Sequence, residues 1–98
     1  MDGVKKQKTA KQLERYFKGA ANHRRIDILL LTAQKKGIKV EDIADALDVN
    51  FKTISEHIRR LVQAGLVNKN YQGRQVAQAL SPYGKRSVEF IRTFSHSQ

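Results

Sequence analysis

Apolar residues recur along most of this chain at steps of three and four, the period of a helix with one buried face. Leu13, Tyr16, Phe17 and Ala20 form the first such stripe, and Thr9 stands where an N-cap belongs. Asn22 caps a second helix carrying Ile26, Leu29, Leu30 and Ala33, and Gly37 after Lys35-Lys36 reads as its stop. Ile38 to Val40 is short and rich in β-branched residues, and is expected as a brief strand. A third helix follows with Val40, Ile43, Ala44 and Leu47 inward. It lacks a capping side chain at Lys39 but has Glu41 and Asp42 in its first turn, where acids favour the helix dipole. Asp48-Val49-Asn50 turns the chain, Asn50 caps a fourth helix with Ile54, Ile58 and Leu61 inward, and Gly65 closes it. The period then changes. Leu66-Val67 and Val76 to Leu80 read as two strands around Gln72-Gly73, with Gly73 supplying the positive φ of a tight turn. Ser81-Pro82 opens a last helix in the favoured order of cap then proline, and Val88, Phe90, Ile91 and Phe94 follow. The order is α-α-β-α-α-β-β-α, mainly α with a small β-hairpin.

Helices three and four carry the functional signal. Ala44 is small where two crossing helices must approach, and the apolar residues at 43, 47, 49, 54, 58 and 61 fix their angle. This is a helix-turn-helix pattern with a turn of about three to four residues. With 54, 58 and 61 inward, the outward set is Lys52, Thr53, Ser55, Glu56, Arg59 and Arg60, with His57 at the boundary. Short hydroxyls can approach base edges, and the cations can reach phosphates or guanine. Lys69 and Arg74 flank the hairpin turn, together with Gln72. A hairpin beside such a helix is a wing, and its cations can contact the DNA backbone. The same charges would also discourage edge-to-edge strand pairing. His57 has two readings: donor to a phosphate, or a residue packed at the helix edge.

Composition sharpens this picture. Lys and Arg total 19 against 9 acids in 98 residues, a formal charge of +10 that attracts polyanions. Helix three holds Glu41, Asp42, Asp45 and Asp48, whereas Phe51 onward is basic apart from Glu56 and Glu89. No apolar run approaches the roughly 20 residues of a membrane span. The N-terminus carries charge without an apolar signal core, so a cytoplasmic protein is expected. Cysteine is absent, which excludes disulfides, thiolate metal sites and cysteine nucleophiles. His23, His57 and His96 are scattered, and Asp45 and Asp48 have no partner nucleophile or phosphate loop. No metal, cofactor or catalytic activity is expected.

The stretches NHRRIDILLL, VEDIADAL, NFKTISEHIRRLVQAGLV and YQGRQVAQALSPYG, spanning Asn22 to Gly84, resemble the ArsR-type group of winged helix-turn-helix regulators. ISEHIRRLVQAGLV is the most specific part. The resemblance implies a winged helix-turn-helix that binds double-stranded DNA as a homodimer and regulates transcription, with repression the expected outcome. It implies DNA contact by Ser55, His57 and Arg60, within a recognition surface of Asn50, Lys52, Thr53, Ser55, Glu56, His57, Arg59 and Arg60 and a wing of Lys69, Gln72 and Arg74. Glu56 stands where the group often has a basic or other polar residue; it can accept from a cytosine amine or pair with Arg60 at i+4. The group's cysteine and histidine metal-sensing patterns are missing. Its usual dimerisation through the first and last helices would fall here on Leu13, Tyr16, Phe17, Phe90, Ile91 and Phe94. The alternative is a winged-helix module that docks protein or RNA in the transcription machinery. The expected organisation is a flexible basic arm over 1–8, the winged helix-turn-helix over 9–95 and a polar tail over 96–98. The sequence specifies no small-molecule effector.

Overall fold

The computed structural model describes residues 7–96; most of the N-terminal arm (1–6) and the end of the tail (97–98) lie outside the described residues. Five helices and three strands follow in the order α1 (Ala10–Ala20), α2 (His23–Gln34), β1 (Ile38–Lys39), α3 (Val40–Leu47), α4 (Phe51–Gln63), β2 (Val67–Gln72), β3 (Gln75–Leu80) and α5 (Pro82–Ser95).

Local chemistry sets these boundaries. Thr9 and Gln12 form a reciprocal capping box at α1, the Thr9 Oγ1 accepting from Gln12 N and the Gln12 Oε1 from Thr9 N. The Oδ1 of Asn22 accepts from Arg24 N and Arg25 N, and that of Asn50 from Lys52 N and Thr53 N. Ser81 caps α5 by accepting from Gly84 N at 3.0 Å, and its own hydroxyl donates to the Gly65 carbonyl at 2.6 Å. As expected, α3 starts at Lys39 without a side-chain cap. It ends at Asp48, which holds a left-handed conformation (φ 54°, ψ 48°) while its N–H reaches the carbonyls of Ala44 and Asp45.

The core is a single cluster built on Ile28, Leu29, Ile43, Ile54, Ile58, Leu61 and Leu66, all fully buried. α4 lies at its centre and packs against α1, α2, α3 and β2. Close approach requires glycine at two points. A Cβ on Gly19 would overlap that of Ala64, and one on Gly84 would overlap the Leu66 carbonyl oxygen.

β3 is the middle strand of an antiparallel sheet ordered β1-β3-β2. Gln78 faces Ile38 on one side and Lys69 on the other, and the Gly37 N–H donates to the Gln78 carbonyl at 2.8 Å.

Three sequence-based expectations need correction. Val40 belongs to α3 rather than β1, because Ile38 and Lys39 are the residues paired to β3. The first wing strand runs Val67–Gln72 rather than Leu66-Val67. Only Val67 of that strand is buried, so the rest of its pairing leaves no trace in the hydrophobic pattern. The turn is Gly73-Arg74 rather than Gln72-Gly73, since Gln72 pairs with Gln75. Gly73 then takes the first central position with φ 65°, as a tight hairpin turn of the II′ kind requires.

Candidate nucleic-acid interface

α4 presents a polar stripe opposite its buried face. Lys52, Thr53, Glu56, Arg59 and Arg60 are exposed, while Ile54, Ile58 and Leu61 are buried. At about 100° per residue, Ser55 and His57 fall to either side of the stripe, about 90° and 70° from the buried direction. Both are half-buried. Asn50, at the start of the helix, spends its side-chain oxygen on the cap.

The charges on the stripe are coupled. Arg59 Nε donates to Glu56 Oε1 at 3.0 Å, Arg59 Nη2 donates to Oε2, and Arg60 Nε donates to the same oxygen at 3.3 Å. The hydrogen bond from Arg59 leads in holding the Glu56 carboxyl below the usual carboxylate range, and the same bond raises the Arg59 guanidinium. Both arginines anticipated as phosphate or base contacts are thus engaged by one carboxylate.

His57 lies close enough to the start of α2 for the charge of Arg25 to act on it. Its Nδ1 is buried with no hydrogen-bond partner among the described residues, as is the Arg25 Nε. Burial first, then the positive charge of Arg25, push the imidazole pKa down from its ordinary value, so it is held neutral. His23, Arg24 and Arg25 of α2 were not anticipated as neighbours of α4. The Asn22-His23-Arg24-Arg25 run was the available signal, but only the fold shows which element it meets.

The wing adds a second polar surface. Lys69, Gln72 and Arg74 are all exposed, as are Asn68, Asn70 and Gln75. Tyr71, which a strand reading would bury, is 70% exposed. The structure therefore presents α4 and the hairpin as two polar, basic surfaces joined through Gly65 and Leu66.

On α1 and α5 the arrangement is apolar. Phe17, Phe90 and Phe94 are 62%, 52% and 67% exposed, and Leu13 is exposed too, while Tyr16 and Ile91 pack partly on the core. These residues line one open groove between the two helices. Phe90 and Phe94 stack with ring centres 4.6 Å apart. Tyr16 and Tyr83 stack at 4.8 Å, and Lys8 Nζ sits 4.9 Å from the Tyr83 ring centre. No group of three or more metal-ligating side chains occurs among the described residues, and no described helix is long and apolar enough to cross a membrane.

Comparison with known proteins places this geometry. The sequence profile of the bacterial regulatory protein, arsR family, matches residues 22–69. The arsenical resistance operon repressor of Escherichia coli K12 is 36% identical over 67 residues, covering 68% of this chain and 57% of the repressor. The chain thus spans little more than half the length of that relative. A homodimeric winged helix-turn-helix DNA-binding domain from Mycobacterium bovis, described as a possible ArsR-family transcriptional regulator, superimposes with a TM-score of 0.80 at 31% identity, covering 97% of this chain and 90% of that one. HlyU from Vibrio cholerae shares the fold at a TM-score of 0.80 and 24% identity, covering 91% and 97% of the two chains.

Proposed function

Since the chain belongs to the ArsR family of bacterial regulatory proteins, we propose that it binds double-stranded DNA as a homodimer and represses transcription. The observation that carries this reading is the exposed stripe of α4, which combines cations with a short hydroxyl and is followed along the chain by the exposed basic wing. In this reading α4 enters the major groove, where the wall of base edges offers donors and acceptors to Thr53, Ser55 and Glu56. Lys52, Arg59 and Arg60 serve the phosphates or guanine, and His57, held neutral, works at the flank. Lys69, Gln72 and Arg74 of the wing lie along the backbone. The formal charge of +10 supplies the long-range attraction to the polyanion.

The dimer rests on the apolar groove of α1 and α5. Leu13, Phe17, Phe90 and Phe94 would leave too much apolar surface in water on a lone subunit, and Tyr16 and Ile91 extend that surface inward. The M. bovis relative is homodimeric, and the E. coli relative is a repressor, which supports both parts of the proposal. Two recognition helices related by a two-fold axis would meet successive major grooves about 34 Å apart, so the operator is an inverted repeat.

Selection from a random duplex pool tests this directly. The expected result is an enriched inverted-repeat motif whose binding weakens with salt, with a log–log slope of about −0.9 for each phosphate contacted. A pool without any enriched motif, together with affinity indifferent to salt, sinks the reading.

A further inference from the structure

The stripe of α4 has a feature that a simple basic recognition surface would not need. Taking about 100° per residue, Glu56 lies about 165° from the mean direction of Ile54, Ile58 and Leu61, so with Lys52 and Gln63 it is among the residues aimed most directly away from the core. An anion at that point would meet the polyphosphate first. It is also not a bystander, because its two carboxylate oxygens accept from both Arg59 and Arg60.

We propose that Glu56 is the specificity gate of the DNA surface: its carboxylate withholds Arg59 and Arg60 from non-specific duplex and releases them only where a cytosine amine takes their place. This deepens the DNA-binding reading and rests on it.

The physical argument has two sides. On an arbitrary duplex, attraction comes almost wholly from cations meeting phosphates. Two of the cations on α4 already share the Glu56 carboxylate, which cancels one of their two charges, and moving them to phosphates strips the carboxylate of its partners beside a wall of negative charge. A desolvated carboxylate without donors is costly, so non-specific contact through this helix is weakened. In the major groove a cytosine N4 amine offers the donor that glutamate accepts, whereas guanine and thymine present acceptors at the corresponding edge. At a C·G pair the amine donates to Glu56, and Arg59 and Arg60 swing free toward flanking phosphates or a neighbouring guanine. The gain in cationic contact is thus tied to one base identity. Glu56 contributes selectivity by penalising the wrong sites as well as by favouring the right one. Adenine N6 is a donor too, but Glu56 offers no donor of its own for the adjacent N7 acceptor, which leaves cytosine the better match.

The experiment compares the full chain with Glu56→Gln and Glu56→Ala. Each is taken through selection from a random duplex pool and then salt titration on the selected duplex and on a scrambled one. Glu56 is exposed and outside the core, so both variants should fold, as circular dichroism and thermal melting will verify. The gate predicts an invariant C·G pair in each half-site selected by the parent. That preference should disappear in Glu56→Ala and move toward A·T in Glu56→Gln, whose amide matches the adenine N6 and N7 edge. Affinity for the scrambled duplex should rise roughly tenfold in both variants, with the salt slope steepening by about one to two units as the arginines reach phosphates. An unchanged motif with an unchanged ratio of selected to scrambled affinity in both variants overturns the gate while leaving DNA binding intact. A parent selecting a motif without a C·G pair, or with adenine at that place, likewise overturns it. A parent that selects no motif overturns the gate, and if its affinity is also indifferent to salt the DNA reading goes with it.

Discussion

Gly19 and Ala64 meet where α1 crosses the end of α4, so closely that a Cβ on Gly19 would overlap the Cβ of Ala64. Glycine near the end of a helix normally weakens it. In the fold it is the condition for α1 to reach the core. Gly19→Ala gains up to about 1 kcal/mol in helix propensity and loses about 1–3 kcal/mol to overpacking. The expected net result is a lower urea midpoint, and an unchanged or higher midpoint would mean that the two helices part without cost.

The left-handed Asp48 that ends α3 makes a second stability prediction. A β-branched residue is poorly suited to that conformation, so Asp48→Val should lose about 1–2 kcal/mol. For a chain of this size that corresponds to a Tm lowered by roughly 4–16 °C. Asp48→Gly should show no such loss, which separates backbone strain from the missing carboxylate.

His57 gives the fold a pH dependence. Its folded pKa is depressed below the ordinary value of 6.5, so the unfolded chain binds the proton more readily. Stability is therefore fully present above the unfolded pKa, and falls as pH drops through it toward the folded one. Thermal melting followed from about pH 7.5 to 5.5 should show Tm decreasing, and His57→Gln should flatten that decrease. A parent Tm that rises on acidification over this range would contradict the neutral, half-buried imidazole.

Dimerisation through the α1–α5 groove predicts that Phe94→Glu yields monomers by light scattering at micromolar concentration. Phe94 is mostly exposed, so the substitution should leave the monomer fold intact by circular dichroism. A dimer surviving the charge would place the subunit contact elsewhere.

On the proposed DNA face, Ser55→Ala and Arg74→Ala should differ in kind. Removing a hydroxyl near base edges should alter the selected motif, whereas removing a wing cation should weaken all duplexes alike and reduce the salt slope by about one unit. Selection followed by titration checks both, and a changed motif for Arg74→Ala would assign the wing a base-reading role.

Much of this architecture was legible in the chain because it is local. Thr9, Asn22, Asn50 and Ser81 each cap the helix that their sequence position announces, and the burial of Ile54, Ile58 and Leu61 follows from their spacing. What stayed hidden depends on distant partners. The outer part of β2 is held by main-chain pairing to β3 and buries almost no side chain, so its residues carry no strand-like alternation. The influence of the Arg25 charge on His57, and the need for glycine at 19 and 84, arise only when helices far apart in sequence are brought together. On α4 the set of outward residues was readable, but the pairing of Glu56 with Arg59 as well as Arg60 was not, since i+3 and i+4 geometry both allow it.

Because β3 is bonded on one edge to the segment that launches α3 and on the other to the hairpin, the wing has no hinge of its own near the body. Any swing of its base would tear Gly37 and Ile38 from Gln78 and tilt the helix-turn-helix with it. In the proposed complex, any adjustment to the contour of a duplex would fall to the outer rungs, from Asn70 opposite Ala77 to the tip at Gly73. On the proposed DNA-binding reading, the helix-turn-helix and the base of the wing would dock as one unit, and curvature in a target would be met largely by the DNA.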